Sequence, residues 1–178
     1  MVMKWAAILA MSGVLLAGDS ALSDLKHFTQ VDEHIFAGSK PTKAADFEFL
    51  KQKGVKYILQ ADFLPGMSGK ERKEAAKFGI QYMSVQVNAS VVQPSEKDVN
   101  EALCIMHTDQ PIYLHCVLGR DRTSMLAGLY RIYFDGMTKE EAYRQMKAEG
   151  FRDVWFLHGL KEYFDKHADK RYLADLKP

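Results

Sequence analysis

Cysteine is scarce here, two residues in a chain of 178, and that scarcity removes the class of small secreted folds stapled by disulfides. Net charge is nearly absent as well: 24 basic residues against 23 acidic give +1, so no bulk field recruits nucleic acid or an anionic membrane, and any anion site must be local. Long apolar runs are missing too. The longest, Trp5 to Ala17, is 13 residues, short of the roughly 20 that span a bilayer. No His/Cys/Asp/Glu cluster has metal-ligand spacing, no C-x-x-C pair is present, and no repeat, low-complexity tract or long linker divides the chain. What remains is enough chain to bury the core of one ordinary domain.

The first 21 residues differ from the rest. Lys4 precedes the apolar run and small residues follow it, which is the layout of a secretory leader. We therefore expect a signal peptide over 1–21, a domain over 22–178, a periplasmic or secreted location, and no stable membrane anchor once the leader is removed. Cys104 falls in a predicted helix, and sequence alone does not say whether it meets Cys116 in a bridge.

Downstream, short strand-like runs around Phe28–Val31 and Ile35–Ala37 suggest an edge hairpin. Thr42 is the expected cap of a helix to about Lys53, with Ala45, Phe49 and Leu50 inward and Gly54 as the stop. A strand in "VKYILQA", a charged helix closed by Gly79 and a strand over Ile80–Val87 follow. Ser95 with Asp98 opens the next helix, "PIYLH" reads as the strongest strand, and Thr138 with Glu141 forms a capping box. A last helix is expected from about Asp153 to His167. Strands alternating with helices predict an α/β domain with a central, mostly parallel sheet of four to five strands flanked by helices.

The chemistry concentrates in "YLHCVLGRDRTS". Cys116 ends the buried strand and a helix follows, the crevice where open α/β sheets take ligands. A helix N-terminus offers unpaired N–H groups and partial positive charge, which accept phosphate and favour thiolate over thiol. Five residues separate Cys116 from Arg122, enough to wrap the main chain of Val117, Leu118, Gly119, Arg120 and Asp121 around phosphate oxygens. Arg122 supplies a planar two-pronged clamp. Gly119 permits the tight path without a side chain over the concave face. Thr123 offers a hydroxyl to the sulfur, and His115 is read as ordering the loop through its ring N–H groups.

"HCVLGRDRT" resembles the HCxxGxxR[ST] signature of cysteine-dependent phosphatases, the protein tyrosine and dual-specificity phosphatase superfamily. The resemblance implies a tyrosine-phosphatase-like fold, Cys116 as the nucleophile that becomes phosphocysteine, Arg122 as phosphate clamp and Thr123 as the hydroxyl assisting the leaving thiolate. It implies no metal and no cofactor. The layout from "IFAGSKPT" onward is similar to small bacterial dual-specificity-like phosphatases, and the exported location fits bacterial tyrosine-phosphatase-like phytases.

Such enzymes carry an aspartate upstream of the signature to protonate the leaving oxygen. Asn88 stands about there in this chain. Two carboxylates are candidates instead: Asp121, matching the DRT ending of myotubularin-like and some bacterial lipid-phosphatase relatives, and Asp62 in "QADFLPG". The expected partner is a phosphorylated small molecule, an inositol polyphosphate, with Arg120, Lys70, Arg72 and Lys73 as available cations. A phosphotyrosyl or phosphoseryl protein is the alternative substrate. A weakly active phosphate-binding module and a thiol redox protein using Cys104 are the other classes, and the oligomeric state is left open.

Overall fold

The computed structural model describes residues 23–62 and 68–169, so the leader expected over 1–21 lies outside the described residues, as does the side chain of Asp62. β1 (Thr29–Gln30) pairs antiparallel with β2 (Ile35–Ser39), the expected edge hairpin. Then come α1 (Ala44–Gln52), β3 (Tyr57–Asp62), α2 (Gly69–Lys77), β4 (Gln81–Gln86), α3 (Glu96–Met106), β5 (Ile112–Cys116), α4 (Asp121–Tyr133), α5 (Lys139–Ala148), one 3-10 turn at Trp155–Leu157 and α6 (His158–His167). The sheet runs β1-β2-β5-β3-β4, parallel except for β1. Parallel strands end on one rim: Ser39 is level with Cys116, and Asp62 with Gln86.

Alternation along the strands divides the interior in two. Ile35, Ala37, Leu59, Ala61, Ile112, Leu114 and Cys116 join the large cluster that packs α3 to α6. Phe36, Ile58, Tyr82 and Tyr113 face the other way, onto Phe47, Leu50 and Ala75 of α1 and α2. By the same period His115, fully buried, points to the α1/α2 side while Cys116 points to the α4 side.

Local signals explain several helix ends. Ser95 accepts from the Asp98 N–H at 3.1 Å, Thr138 and Glu141 cap each other, and Gly54 and Gly79 take left-handed φ of 81° and 75° where their helices stop. The start of α1 corrects one expectation. Thr42 is not the cap; Asp46 reaches back to accept the main-chain N–H groups of Thr42 (2.9 Å), Lys43 (3.0 Å) and Asp24 (2.9 Å). Asp46 is buried, and its carboxyl lies below the ordinary range because these hydrogen bonds outweigh burial, which acts in the opposite direction. Phe47 joins Leu50 inside, whereas Ala45 and Phe49 are half-buried, Phe49 meeting Phe28 edge-on at 5.1 Å.

Candidate active site

The loop after β5 is held from several sides. Cys116 is only 4% exposed, and α4 begins five residues on, with Arg120 in the cap position and its carbonyl accepting the Ser124 N–H at 2.8 Å. The first-turn N–H groups of α4 therefore face the loop without helical partners. Gly119 has φ +69°, and a Cβ there would collide with the main chain of Gly38 and Ser39. The constraint is thus contact with the end of β2, not clearance of the concave face. Lys40 N–H donates to the Val117 carbonyl at 3.4 Å, and Arg122 Nη1 donates to the Ala61 carbonyl at 2.9 Å, which ties the guanidinium to the end of β3. The hydroxyls of Thr123 and Ser124 are buried and make no hydrogen bond among the described residues.

Beneath the loop lies a polar group that the sequence did not reveal. His115 Nδ1 is 3.1 Å from the Cys116 carbonyl, and its Nε2 is 2.7 Å from Glu71 Oε1; Glu71 Oε2 is 3.0 Å from Lys40 Nζ. Glu71, only 4% exposed, sits on α2 inside the run "GKERKEA", where charge at every turn reads as a solvated face. Ala75, one turn further on, is also buried, so this stripe of α2 faces the sheet. Burial raises the Glu71 carboxyl, but the hydrogen bonds and charges of His115 and Lys40 outweigh it and hold Glu71 below the ordinary carboxylate range.

Asp121 is engaged. Its Oδ1 accepts from the Arg152 main-chain N–H at 3.0 Å and from Nε at 3.2 Å, and its Oδ2 accepts from Nη2 at 2.7 Å. To serve as the general acid it must break this fork. Arg152, another residue that spacing did not flag, is held more firmly protonated by the Asp121 hydrogen bond, against burial, and by the charges of Asp121 and of Cys116 when ionised. Asn88 follows β4 and donates from its amide to the Val92 carbonyl at 3.4 Å, and the loop continues onto α6, where Gly159 N–H donates to Ser90 at 3.0 Å. Val91 and Val92 on this loop, Val117 and Leu118 on the loop after β5, and Trp155 and Phe156 in the 3-10 turn are all exposed.

Of the expected cations, Arg120 carries a buried Nε with no partner among the described residues. Arg72 instead lies over the Tyr82 ring at 5.5 Å, beside the strand starts and away from the rim, and Lys70 lines a cleft with Lys40, Glu71 and Glu74. Lys73 is exposed on α2. Cys104 and Cys116 are not joined in a disulfide; burial pushes the Cys104 thiol up, which does not suit a resolving partner. Among the described residues no group of three or more His, Cys, Asp or Glu is placed to hold a metal ion, and no helix is long and apolar enough to cross a membrane.

The family model described as "polymorphic toxin system, DSP-PTPase phosphatase" (Tc-R-P) matches residues 34–135, which run from the hairpin through α4 and include the whole loop. The chain belongs to this family. It is thus a cysteine-dependent phosphatase of the tyrosine and dual-specificity superfamily. The dual specificity protein phosphatase TpbA of Pseudomonas aeruginosa strain UCBPP-PA14 is 31% identical over 75 residues, 42% of this chain and 34% of TpbA, so the chain aligns with about a third of this relative's length. The crystal structure of P. aeruginosa TpbA superposes with a TM-score of 0.69 at 20% identity, covering 85% of this chain and 91% of that one. The core catalytic domain of the PP-IP phosphatase SIW14 from S. cerevisiae gives 0.70 at 22% identity, covering 84% and 90%. At these identities the structures establish the fold, which is the expected tyrosine-phosphatase-like α/β domain.

Proposed function

We propose that this phosphatase is a phosphomonoesterase working through a phosphocysteine at Cys116. The observation that carries the reading is the loop: a thiol at the end of β5, at the N-terminus of α4, with Arg122 closing the arc six residues on. The Cys116 thiolate attacks phosphorus, the ester P–O bond breaks, and the leaving oxygen takes a proton. Water then cleaves the P–S bond, releasing phosphate and the thiolate. The backbone of 117–122 and the Arg122 fork hold the equatorial oxygens, and Thr123 donates its unused hydroxyl to the sulfur as it leaves.

Asp121 serves here as a strut for Arg152 rather than as the acid. Asp62 takes the acid role: it follows Ala61, whose carbonyl binds Arg122, so its main chain lies beside the phosphate clamp. Asp62→Asn removes the fall in kcat/KM on the alkaline side, measured with a phosphate ester of poor leaving group, whereas Asp121→Asn keeps that limb. The reverse result returns the acid role to Asp121.

The substrate in this reading is an inositol polyphosphate, met in the periplasm or outside the cell after loss of a leader over 1–21. Arg120 and Arg152 beside the loop support it, as does the fold shared with the PP-IP phosphatase SIW14. A second reading, a phosphotyrosyl protein, draws on the exposed Val91, Val92, Trp155 and Phe156, and on the similar structure of a TpbA variant in complex with pTyr, with a TM-score of 0.68. Inositol hexakisphosphate and phosphotyrosyl peptides assayed on one preparation decide between them. The first reading expects the larger kcat/KM on the inositol phosphate, and a preference for the peptides overturns it.

A further inference from the structure

The buried Glu71 lies outside the signature and touches no phosphate, yet both its oxygens are used at the loop. One is 2.7 Å from His115, whose other ring nitrogen is 3.1 Å from the Cys116 carbonyl. The other is 3.0 Å from Lys40 Nζ, and the main-chain N–H of that same lysine donates to the Val117 carbonyl at 3.4 Å. One carboxylate on α2 thus lies against two residues, His115 and Lys40, each of which contacts a carbonyl of the loop.

A trans peptide is planar, so its C=O and the following N–H point in opposite directions. Fixing the Cys116 carbonyl toward His115 turns the Val117 N–H the other way. Fixing the Val117 carbonyl toward Lys40 does the same for the Leu118 N–H. Convergent N–H groups are what an anion nest consists of. Each His115 ring nitrogen faces an oxygen: Nδ1 the Cys116 carbonyl, and Nε2 Glu71 Oε1, the latter a close charge approach without hydrogen-bond alignment.

We propose that Glu71 is a positioning residue for the phosphatase reaction: through His115 and Lys40 it holds the Cys116 and Val117 carbonyls on the underside of the loop and so aims the Val117 and Leu118 N–H groups at the phosphate. The proposal rests on the phosphatase reading above but is tested by binding, which needs no turnover. The carboxyl's position below the ordinary range agrees with a group kept as an anion at neutral pH.

Sodium tungstate, a phosphate-like oxyanion, is titrated calorimetrically into wild type, Glu71→Gln and Lys40→Met, with Met146→Ala as a control that loosens the core on the opposite face. Glu71→Gln is expected to weaken tungstate about tenfold and Lys40→Met about threefold. Met146→Ala is expected to bind normally despite its lower melting temperature. The Val117 and Leu118 amide resonances move on tungstate binding in wild type and by a smaller amount in Glu71→Gln. An affinity within twofold of wild type in folded Glu71→Gln overturns the proposal; if that variant does not fold, the same result in Lys40→Met does. Absence of aryl phosphate hydrolysis by wild type overturns the phosphatase mechanism instead and leaves the tungstate result to judge Glu71.

Discussion

The strand side chains turned toward α3 to α6 are almost wholly apolar, the buried polar groups on that side (Asp121, Thr123, Ser124, Arg131 and His167) belonging to helices, whereas the strands turn Gln60, the Tyr113 hydroxyl and His115 toward α1 and α2, where Asp46 and Glu71 are also buried. Both faces meet the same loop. The apolar side fixes where α4 and Cys116 sit, by burial that has no directional preference. The polar side fixes which way groups point, because hydrogen bonds carry direction and an unpaired buried polar group is costly. Tyr113 shows the second kind of control: its hydroxyl donates to the Ser39 carbonyl at 2.6 Å, level with Cys116, and its ring stacks on His115 at 5.7 Å.

Substitutions separate these contributions, beginning with the clamp between them. Arg122→Lys keeps the charge but loses the planar fork, and kcat/KM for p-nitrophenyl phosphate is expected to fall on the order of 10³-fold. A loss under tenfold would place the clamp elsewhere. On the apolar face, Leu126→Ala removes a fully buried side chain of α4 and is expected to cost about 2–5 kcal/mol in denaturant unfolding. Below its melting temperature its KM stays near that of wild type, and a large KM change would show that the apolar face also tunes binding.

On the polar face, Asp46→Asn is expected to cost about 1–3 kcal/mol at neutral pH, since a buried acceptor of several N–H groups loses its charge. The folded carboxyl lies below its ordinary value, so the stability it contributes is present above about pH 4 and is lost as pH falls through the depressed value. The gap between wild type and Asp46→Asn thus holds from pH 7 to about pH 5 and closes in stronger acid; a gap unchanged at pH 2 would contradict this. The smallest expected stability effect is at the rim. Trp155 is 79% exposed, so Trp155→Ser should change stability by less than about 0.5 kcal/mol. It should leave inositol phosphate hydrolysis unaltered, and a selective loss of phosphopeptide hydrolysis would favour the second substrate reading.

The apolar face was the legible one. Strand alternation, the Ser95 cap, the Thr138–Glu141 box and the glycine stops are local signals, and they recovered the order of elements and the position of Cys116 at a strand end. The polar face was largely hidden because its partners are remote in sequence. Glu71 sits 44 residues before His115 amid surface-like charges, and Arg152 sits 31 after Asp121, with no spacing rule connecting either pair. At α1 a local rule misled: Thr42 has the chemistry of a cap, but Asp46 also reaches Asp24, and that tertiary contact decided the matter. The motif itself is a local signal, while the contacts around its backbone and those that engage Asp121 required the fold.

The central claim is covalent and is most directly tested by acid-quenching a near-stoichiometric mixture of enzyme and p-nitrophenyl phosphate within the first turnover and mapping the phosphoryl group by mass spectrometry. The account predicts one phosphoryl group on the peptide containing Cys116 in wild type, and neither that adduct nor turnover in Cys116→Ser. A phosphoryl group on another residue, or undiminished turnover in Cys116→Ser, would contradict it.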